Sequence, residues 1–143
     1  MDIRAFREAD APAVIALWEA CALTRPWNDP AKDIARKLGV QRELFLVGET
    51  AGTVMASAMV GYDGHRGWVN YLAVHPDYQR RGYGARLMQQ AEQGLLALGC
   101  PKINMQIRTS NAQVLAFYRS LGYLADDVVC LGKRLVPDLP PSA

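Results

Sequence analysis

The chain has 143 residues and a mass of 15.8 kDa, the usual size of a single globular domain. Apolar residues make up 50% of it and charged residues 21%, which excludes intrinsic disorder, and its apolar runs are too short for a membrane helix. A net charge of +2 is too small to favour nucleic acid as the main partner.

The first part of the chain predicts one strand and two helices. Alternating apolar residues predict a strand over about residues 2 to 7. A capping residue and a first-turn proline then begin a helix over about residues 10 to 22. Asn28 and Asp29 before a proline begin the second helix in the same way, and it continues to about residue 38.

Three strands are predicted in the middle of the chain, over residues 44–47, 53–62 and 68–74. A turn around Gly52 joins the first two, which predicts an antiparallel hairpin. Asp63-Gly64 is a tight-turn dipeptide that leads into the third strand.

The last part predicts helices over residues 85–98 and 111–121, separated by a strand over residues 102–107. A final strand is expected from Val128 to Leu135, and a proline-rich stretch over 137–143 is expected to be a loose tail.

The predicted order is βααβββαβαβ in a single domain, residues 1–136. Its strand-helix-strand unit should place two strands in parallel, which indicates an α/β fold with a mixed central sheet flanked by about four helices. Cys21, Cys100 and Cys130 are widely spaced without a C-x-x-C pair, so no disulfide framework and no metal site are expected.

A glycine-containing loop lies where the strand ending at Val74 passes into the next helix. It comprises Gln79, Arg80, Arg81, Gly82, Tyr83 and Gly84. Backbone N-H groups of such a loop, together with the helix dipole, favour a phosphate, although a merely structural turn is the alternative. Because no Lys-Ser/Thr and no third glycine follow, neither a nucleoside triphosphate loop nor a dinucleotide motif is predicted.

Two motifs resemble those of the GNAT superfamily of N-acetyltransferases. Residues 74–85 resemble its acetyl-CoA motif, and residues 111–123 resemble its signature N-x-x-A/V-x-x-F/L-Y-x-x-x-G-F/Y. The resemblance extends from the strand at Ile3 to the region of Leu131. Similarity to a small bacterial group of single-domain members lies in residues 25–30, 61–67 and 131–135.

This resemblance implies acetyl-CoA as cosubstrate and no metal. Backbone groups of residues 73–74 would pair with the pantetheine arm, amides of residues 81–85 would hold the pyrophosphate, and Asn111 would bind the arm from the far side. The implied cofactor-binding residues are Ala73, Val74, Gln79, Arg80, Arg81, Gly82, Tyr83, Gly84, Ala85 and Asn111.

Tyr118 is the implied catalytic residue, standing near the sulfur. A phenol with a pKa near 10 can give a proton to a leaving thiolate whose pKa is about 8.5. The alternatives are structural: Tyr118 could pack in the core, and Asn111 could cap the last helix.

The general base is not identified by the sequence. Many members of the superfamily have a glutamate on the strand that corresponds to residues 68–74, where this chain has only Asn70 and Tyr71. Asp63 and His65 are candidates, although Asp63-Gly64 is first of all a turn. A water relay is the other possibility.

Acceptor recognition is expected from the first two helices and their connection. Asp29 could attract a cationic amine, although a helix cap alone explains its position. The candidate acceptor-binding residues are Trp27, Asp29, Asp63, His65 and Tyr71.

The sequence thus predicts a cytoplasmic enzyme that transfers acetyl from acetyl-CoA to a primary amine by direct attack. The acceptor would be a small molecule or a peptide or protein amine, with no nucleic-acid or membrane partner, and the enzyme would be a monomer or homodimer. The alternative is a non-catalytic acyl-CoA sensor or scaffold with the same fold. A nucleic-acid adaptor is disfavoured by the near-neutral charge.

Overall fold

The structure is a computed structural model, and it describes residues 1–139. Its strands are β1 (Asp2–Ala5), β2 (Phe45–Thr50), β3 (Thr53–Tyr62), β4 (Gly67–Val74) and β5 (Ile103–Asn104). Its helices are α1 (Ala11–Ala20), α2 (Pro30–Lys37), α3 (Tyr83–Ala97) and α4 (Ala112–Ser120).

The five strands form one sheet in the order β1-β2-β3-β4-β5. Neighbours are antiparallel from β1 to β4, and β5 is parallel to β4. The crossover through α3 produces this parallel pair, as the sequence predicts for a strand-helix-strand unit. The mixed sheet with helices on its faces confirms the predicted fold class.

The predicted final strand is wrong within the described residues, because the chain between Val128 and Leu135 forms no strand. The preceding edge offers little to pair with, since β5 is only two residues long instead of the predicted six. Side-chain contacts hold the segment there instead: the Lys102 ammonium binds the Asp126 carboxylate at 2.9 Å. Val129 and Leu131 are 85% and 90% exposed.

Two apolar cores separate the helices onto opposite faces of the sheet. Helices α1 and α2 cover one face, where Trp18 and Phe45 are fully buried. Helices α3 and α4 cover the other face, where Leu87 and Leu95 are buried. Burying one such side chain stabilises a fold by about 2 kcal/mol, so both faces fix the sheet between them.

Strands β4 and β5 separate after a short contact, and this separation positions the site. They pair only at Gly67 with Ile103 and at Trp68 with Asn104. Beyond Trp68 no strand among the described residues pairs with the outer edge of β4, which continues to Val74. A gap therefore opens between β4 and the chain that follows β5.

A bulge interrupts β4 at Tyr71, which has the unusual backbone angle φ +52°. A large side chain rarely adopts this conformation, and it persists only where surrounding contacts stabilise it. The Ser57 hydroxyl donates to the Tyr71 carbonyl at 2.8 Å and accepts from the Trp18 indole N-H at 2.9 Å. The Trp18 and Tyr71 rings stack with centroids 3.7 Å apart.

The described end of the predicted loose tail is held against α2. Asp138 is 1% exposed, and its carboxylate accepts the Asp29 backbone N-H at 2.8 Å and binds the Arg36 guanidinium. The Asp138 carboxylate is thus bound to the start of α2 and to Arg36, while residues 140–143 of the predicted tail lie outside the described part. Within residues 1–139, no helix combines the length and apolar character needed to cross a membrane.

Candidate functional site

The loop before α3 presents free backbone N-H groups. Helix α3 begins at Tyr83, and the Arg86 N-H is bonded back to the Gly82 carbonyl. The amides of residues 83–85 precede this bond, so they have no acceptor within the helix. Gly82 has φ +80°, and a Cβ there would meet no atom within 4 Å, so the surface above it is open. Such a cluster of N-H groups is suited to bind a phosphate.

Gly84 serves the packing of two helices. A Cβ at this position would lie 3.1 Å from Cζ of Phe117, so the missing side chain lets α4 approach α3 closely. Ala85 follows it in the first turn and is half-buried.

Side chains of the loop surround these amides. The guanidinium of Arg81 lies 5.5 Å from the centre of the Tyr78 ring and donates to the Asp77 carbonyl at 3.3 Å. Arg80 is exposed and has a positive φ of 64°. The Gln79 side-chain amide donates to the Val74 carbonyl at 2.9 Å, which fixes the loop to the end of β4.

The outer edge of β4 presents Val74 rather than Ala73. The His75 N-H donates to the Met55 carbonyl at 2.8 Å, so His75 faces β3. Because residues of an antiparallel strand alternate between its two edges, Ala73 also faces β3 and Val74 faces the gap. The thiol of Cys21, at the end of α1, donates to the Val74 carbonyl at 3.3 Å. The Val74 N-H therefore lies on the gap side, between α1 and the loop.

Tyr118 lies at the gap from the side of α4. It is 7% exposed and contacts the rings of Phe117 and Tyr123, with centroids 5.1 and 5.7 Å away. Burial raises the pKa of its hydroxyl to about 12, so the group is protonated at neutral pH. Its hydroxyl makes no hydrogen bond with the described residues, and its oxygen is not among their fully buried unpaired atoms, so it is open to the cleft.

Asn111 is the N-cap of α4, because its side-chain oxygen accepts the Val114 N-H at 3.3 Å. This was the structural alternative for Asn111, and it leaves the amide N-H₂ of the side chain available to a ligand.

Tyr118 and Asn111 lie on one wall of a cleft of about 910 Å³. The opposite wall comes from α2 and from the connection between α1 and α2, and the floor is β4. Among the charged and polar lining residues are Arg25, Asn28, Asp33, Arg36, Lys37, Asn70, Tyr71 and Arg108. The sequence-predicted residues Asn111, Tyr118 and Tyr71 are thus brought together around one cavity.

Asp63 and His65 lie elsewhere, at the hairpin between β3 and β4. One oxygen of the Asp63 carboxylate accepts the N-H groups of His65 and Arg66, each at 2.7 Å. These hydrogen bonds lower the pKa of Asp63 and identify it as a turn residue. The hairpin is at the end of β4 opposite to Val74, so neither side chain lines the cleft.

Trp27 and Asp29 adjoin residues that line the cleft but are not among its lining residues. Trp27 is 53% exposed, and the Arg108 guanidinium lies 6.0 Å from its ring centre. Asp29 caps α2 through its side chain, which accepts the Ala31 N-H at 2.9 Å. The predicted cap is confirmed, and it uses one oxygen of the Asp29 carboxylate.

The sequence analysis missed Asp33, the acidic residue of the cleft. Its carboxylate accepts a hydrogen bond from the Tyr71 hydroxyl, with 2.6 Å between the oxygens, and binds the Arg36 guanidinium at 3.2 Å. No sequence motif marks Asp33, because an acidic residue in the first turn of a helix is explained by the helix dipole alone. Among the described residues, no group of three or more His, Cys, Asp or Glu side chains could hold a metal ion.

Comparison with known proteins agrees with this architecture. The model of the Acetyltransferase (GNAT) family matches residues 7–123. An acetyltransferase of Sodalis glossinidius is 53% identical over 139 residues, which are 96% of this chain and 98% of that protein.

Two solved structures extend the comparison. The ribosomal-protein-S18-alanine N-acetyltransferase of Escherichia coli has 26% identity and a TM-score of 0.70, over 85% of this chain and 76% of that one. The N-acetylglutamate synthase of Neisseria gonorrhoeae, solved with coenzyme A and L-arginine, has 21% identity and a TM-score of 0.64. It is matched over 82% of this chain and 26% of its own, and at that identity it shows the fold alone. The chain belongs to the GNAT family and is an acetyltransferase.

Proposed function

We propose that the protein transfers an acetyl group from acetyl-CoA to a primary amine by direct nucleophilic attack. One observation carries this proposal: the unpaired outer edge of β4 runs from the floor of the cleft that Tyr118 also lines to Val74, and the Gln79 side chain ties Val74 to the amide-rich loop. A cosubstrate with a diphosphate at one end and an extended, amide-bearing arm could lie along this edge, with its diphosphate at the loop.

The residues present fit acetyl-CoA. The amides of residues 83–85 face an open surface above Gly82, where a diphosphate could approach the backbone closely. Arg80 and Arg81 add positive charge beside it. The resemblance of this loop to the acetyl-CoA motif of the family supports the same assignment.

The pantetheine arm would continue along β4. Its amides can pair with a strand edge as another strand does. Val74 offers its N-H there, whereas Ala73 is paired toward β3 and does not. Asn111 can donate from the opposite wall through its side-chain amide.

Acetyl-CoA supplies an acetyl thioester, and the chain supplies the groups around it. The acceptor nitrogen attacks the carbonyl carbon, a C-N bond forms, and the C-S bond breaks. Tyr118 gives its proton to the departing thiolate, which its protonated hydroxyl allows. A second backbone N-H of β4 near Val74 can stabilise the negative charge on the carbonyl oxygen, an effect worth about 3 kcal/mol per donor elsewhere.

The acceptor must also lose a proton, because only the neutral amine is nucleophilic. A free lysine amine has a pKa of about 10.4 and an α-amino group about 8. The cleft is open to solvent, so water can carry this proton to the bulk. Asp63 and His65 are too far along β4 to take it.

A small molecule, a peptide and a protein amine all remain acceptor classes, and cytoplasmic location and a monomer or homodimer remain predictions. An acyl-CoA sensor remains the alternative, because β4 has Asn70 and Tyr71 where many family members have a glutamate.

Thiol release separates the two functions. The purified chain is incubated with acetyl-CoA and each of several amines, and free thiol and acetylated amine are measured together. An enzyme releases one thiol for each acetylated amine, with both substrates present at once. Binding of acetyl-CoA without thiol release for any amine would favour the sensor.

A further inference from the structure

The cleft has an end that the donor assignment leaves unexplained. Val74 marks the donor end of β4, Tyr71 lies in the middle, and Val69 lies toward the opposite end. Val69 pairs with Val60 of β3, and the Val60 carbonyl accepts a hydrogen bond from the Lys37 ammonium. Lys37 therefore lies at the cleft end beyond Tyr71.

Lys37 is a buried cation without a close counter-ion. It is 8% exposed although it lines the cleft. Among residues 1–139, no carboxylate oxygen lies within 4.0 Å of its nitrogen, and Glu43 acts on it only from a distance. Burial lowers its pKa. An ammonium has more than one N-H donor, and the Val60 carbonyl occupies one of them.

A buried charge of this kind is costly unless an opposite charge binds to it. The same desolvation makes the ammonium a strong partner for an anion that enters the cleft. The end of the cleft at Lys37 is thus suited to a carboxylate on the acceptor.

Asp33 precedes Lys37 by one helical turn, so the two side chains emerge on the same side of α2. Its carboxylate holds the Tyr71 hydroxyl and the Arg36 guanidinium. A carboxylate accepts several hydrogen bonds, so an acceptor ammonium can be added to these. Asp33 and Lys37 therefore place a negative and a positive side chain one helical turn apart on the α2 side of the cleft, where the acceptor would bind.

We propose that the acceptor is a small molecule that carries a carboxylate as well as its amine, of the amino-acid class. Lys37 binds the carboxylate, and Asp33 binds the ammonium before it loses a proton and attacks. This inference rests on the proposed function and names the substrate class of the same site.

Matched pairs of amines test it. Each amino acid is compared with the amine that lacks its carboxylate, such as alanine with ethylamine, in the thiol-release assay with acetyl-CoA. A charged hydrogen bond of about 1.5 to 3 kcal/mol corresponds to a kcat/KM ratio of about ten to a hundred in favour of the amino acid. Lys37→Met should bring this ratio close to unity, mainly through KM, whereas Lys133→Met on the exposed C-terminal segment should keep it.

Equal kcat/KM values for the paired amines in the wild type would overturn the inference, as would a preference that Lys37→Met leaves intact. A second measurement serves if that variant does not fold, or if no amine supports thiol release. The wild-type melting temperature is then measured with N-acetylalanine and with N-ethylacetamide, in the presence of CoA. Stabilisation by N-acetylalanine alone supports the carboxylate site, and equal shifts or none contradict it. Thiol release from carboxylate-free amines alone would leave the proposed function standing and refute only the acceptor class.

Discussion

The Tyr71 hydroxyl donates a 2.6 Å hydrogen bond to the Asp33 carboxylate, and this contact joins the bulge of β4 to helix α2. Tyr71 holds a left-handed backbone conformation, which a large residue adopts only at a cost of about 1 to 3 kcal/mol. The wall that carries Asp33 is thus positioned against the one irregular point of β4. Whatever stabilises the bulge therefore also positions this wall against the floor of the cleft.

Ser57 is the residue whose removal should disturb this point most. Its hydroxyl lies between the Trp18 indole N-H and the Tyr71 carbonyl, and it is fully buried. Ser57→Ala leaves the indole N-H without a partner, so we expect a loss of about 1 to 3 kcal/mol in the free energy of unfolding. Urea titration measures this. Ser120→Ala, at an exposed hydroxyl, should cost much less, and similar losses for the two variants would contradict the role of Ser57.

Gly82 offers a test of the diphosphate position with a close control. Gly82 and Gly52 have φ of +80° and +78°, and a Cβ at either would meet nothing within 4 Å. Replacing either with leucine therefore costs a similar backbone strain of about 1 to 2 kcal/mol. Only Gly82→Leu should weaken CoA binding. Loss of a charged contact with the diphosphate should raise the dissociation constant by about tenfold or more.

Isothermal titration with CoA measures both variants at a temperature where both are folded. If Gly52→Leu weakens binding as much as Gly82→Leu, the effect comes from stability and the diphosphate does not lie at this loop.

Tyr118→Phe should lower kcat by about a hundredfold while leaving the CoA dissociation constant unchanged, because the hydroxyl acts on the leaving thiolate. Tyr123→Phe is a suitable control, since its hydroxyl is bound to Glu92 at 2.7 Å in the same aromatic cluster. Equal kcat values for the wild type and Tyr118→Phe would remove Tyr118 from the chemistry.

The pH profile follows from the same residue. The fold raises the pKa of Tyr118 to about 12, so its hydroxyl stays protonated to a higher pH than a free phenol. The stability that the neutral hydroxyl contributes is complete below about pH 10 and is lost as pH rises toward about 12. The rate should therefore rise with pH as the acceptor amine loses its proton, with no decline below pH 10 that depends on Tyr118. A decline near pH 8 that is absent from Tyr118→Phe would contradict this.

Asp138 should control the order of the C-terminal segment. The Arg36 guanidinium and the Asp29 N-H lower its pKa to about 2, so the anchored anion is present at neutral pH and is lost as pH falls from about 4 toward 2. Asp138→Asn should speed amide exchange at Asp29 and across residues 124–139 at neutral pH, as mass spectrometry can measure. Unchanged exchange would show that the carboxylate does not hold the segment.

Local patterns predicted most of the elements, and pairing between distant segments accounts for what they missed. The bounds of β3 agree because alternation and turn dipeptides are properties of neighbouring residues. Val128 and Val129 have strand propensity, but a strand also needs an edge to pair with, and β5 provides only two residues. Residues 1–139 therefore form one strand fewer than the sequence pattern indicates.

The candidate site also has parts that local sequence motifs predict and parts that depend on packing between distant segments. The loop around Gly82 and the cap at Asn111 carry sequence motifs, so they were predicted. Asp33 and Lys37 have no motif, because their position in the cleft depends on α2 packing against β4. The unusual φ of Tyr71 likewise depends on Trp18 and Ser57, which are distant in sequence.

Amide exchange of the wild-type protein during titration with CoA tests the central claim most directly. We expect protection at the Val74 N-H and at the N-H groups of residues 83–85, because the arm and the diphosphate bind there. Saturable CoA binding that leaves these amides unchanged and protects another surface would contradict it.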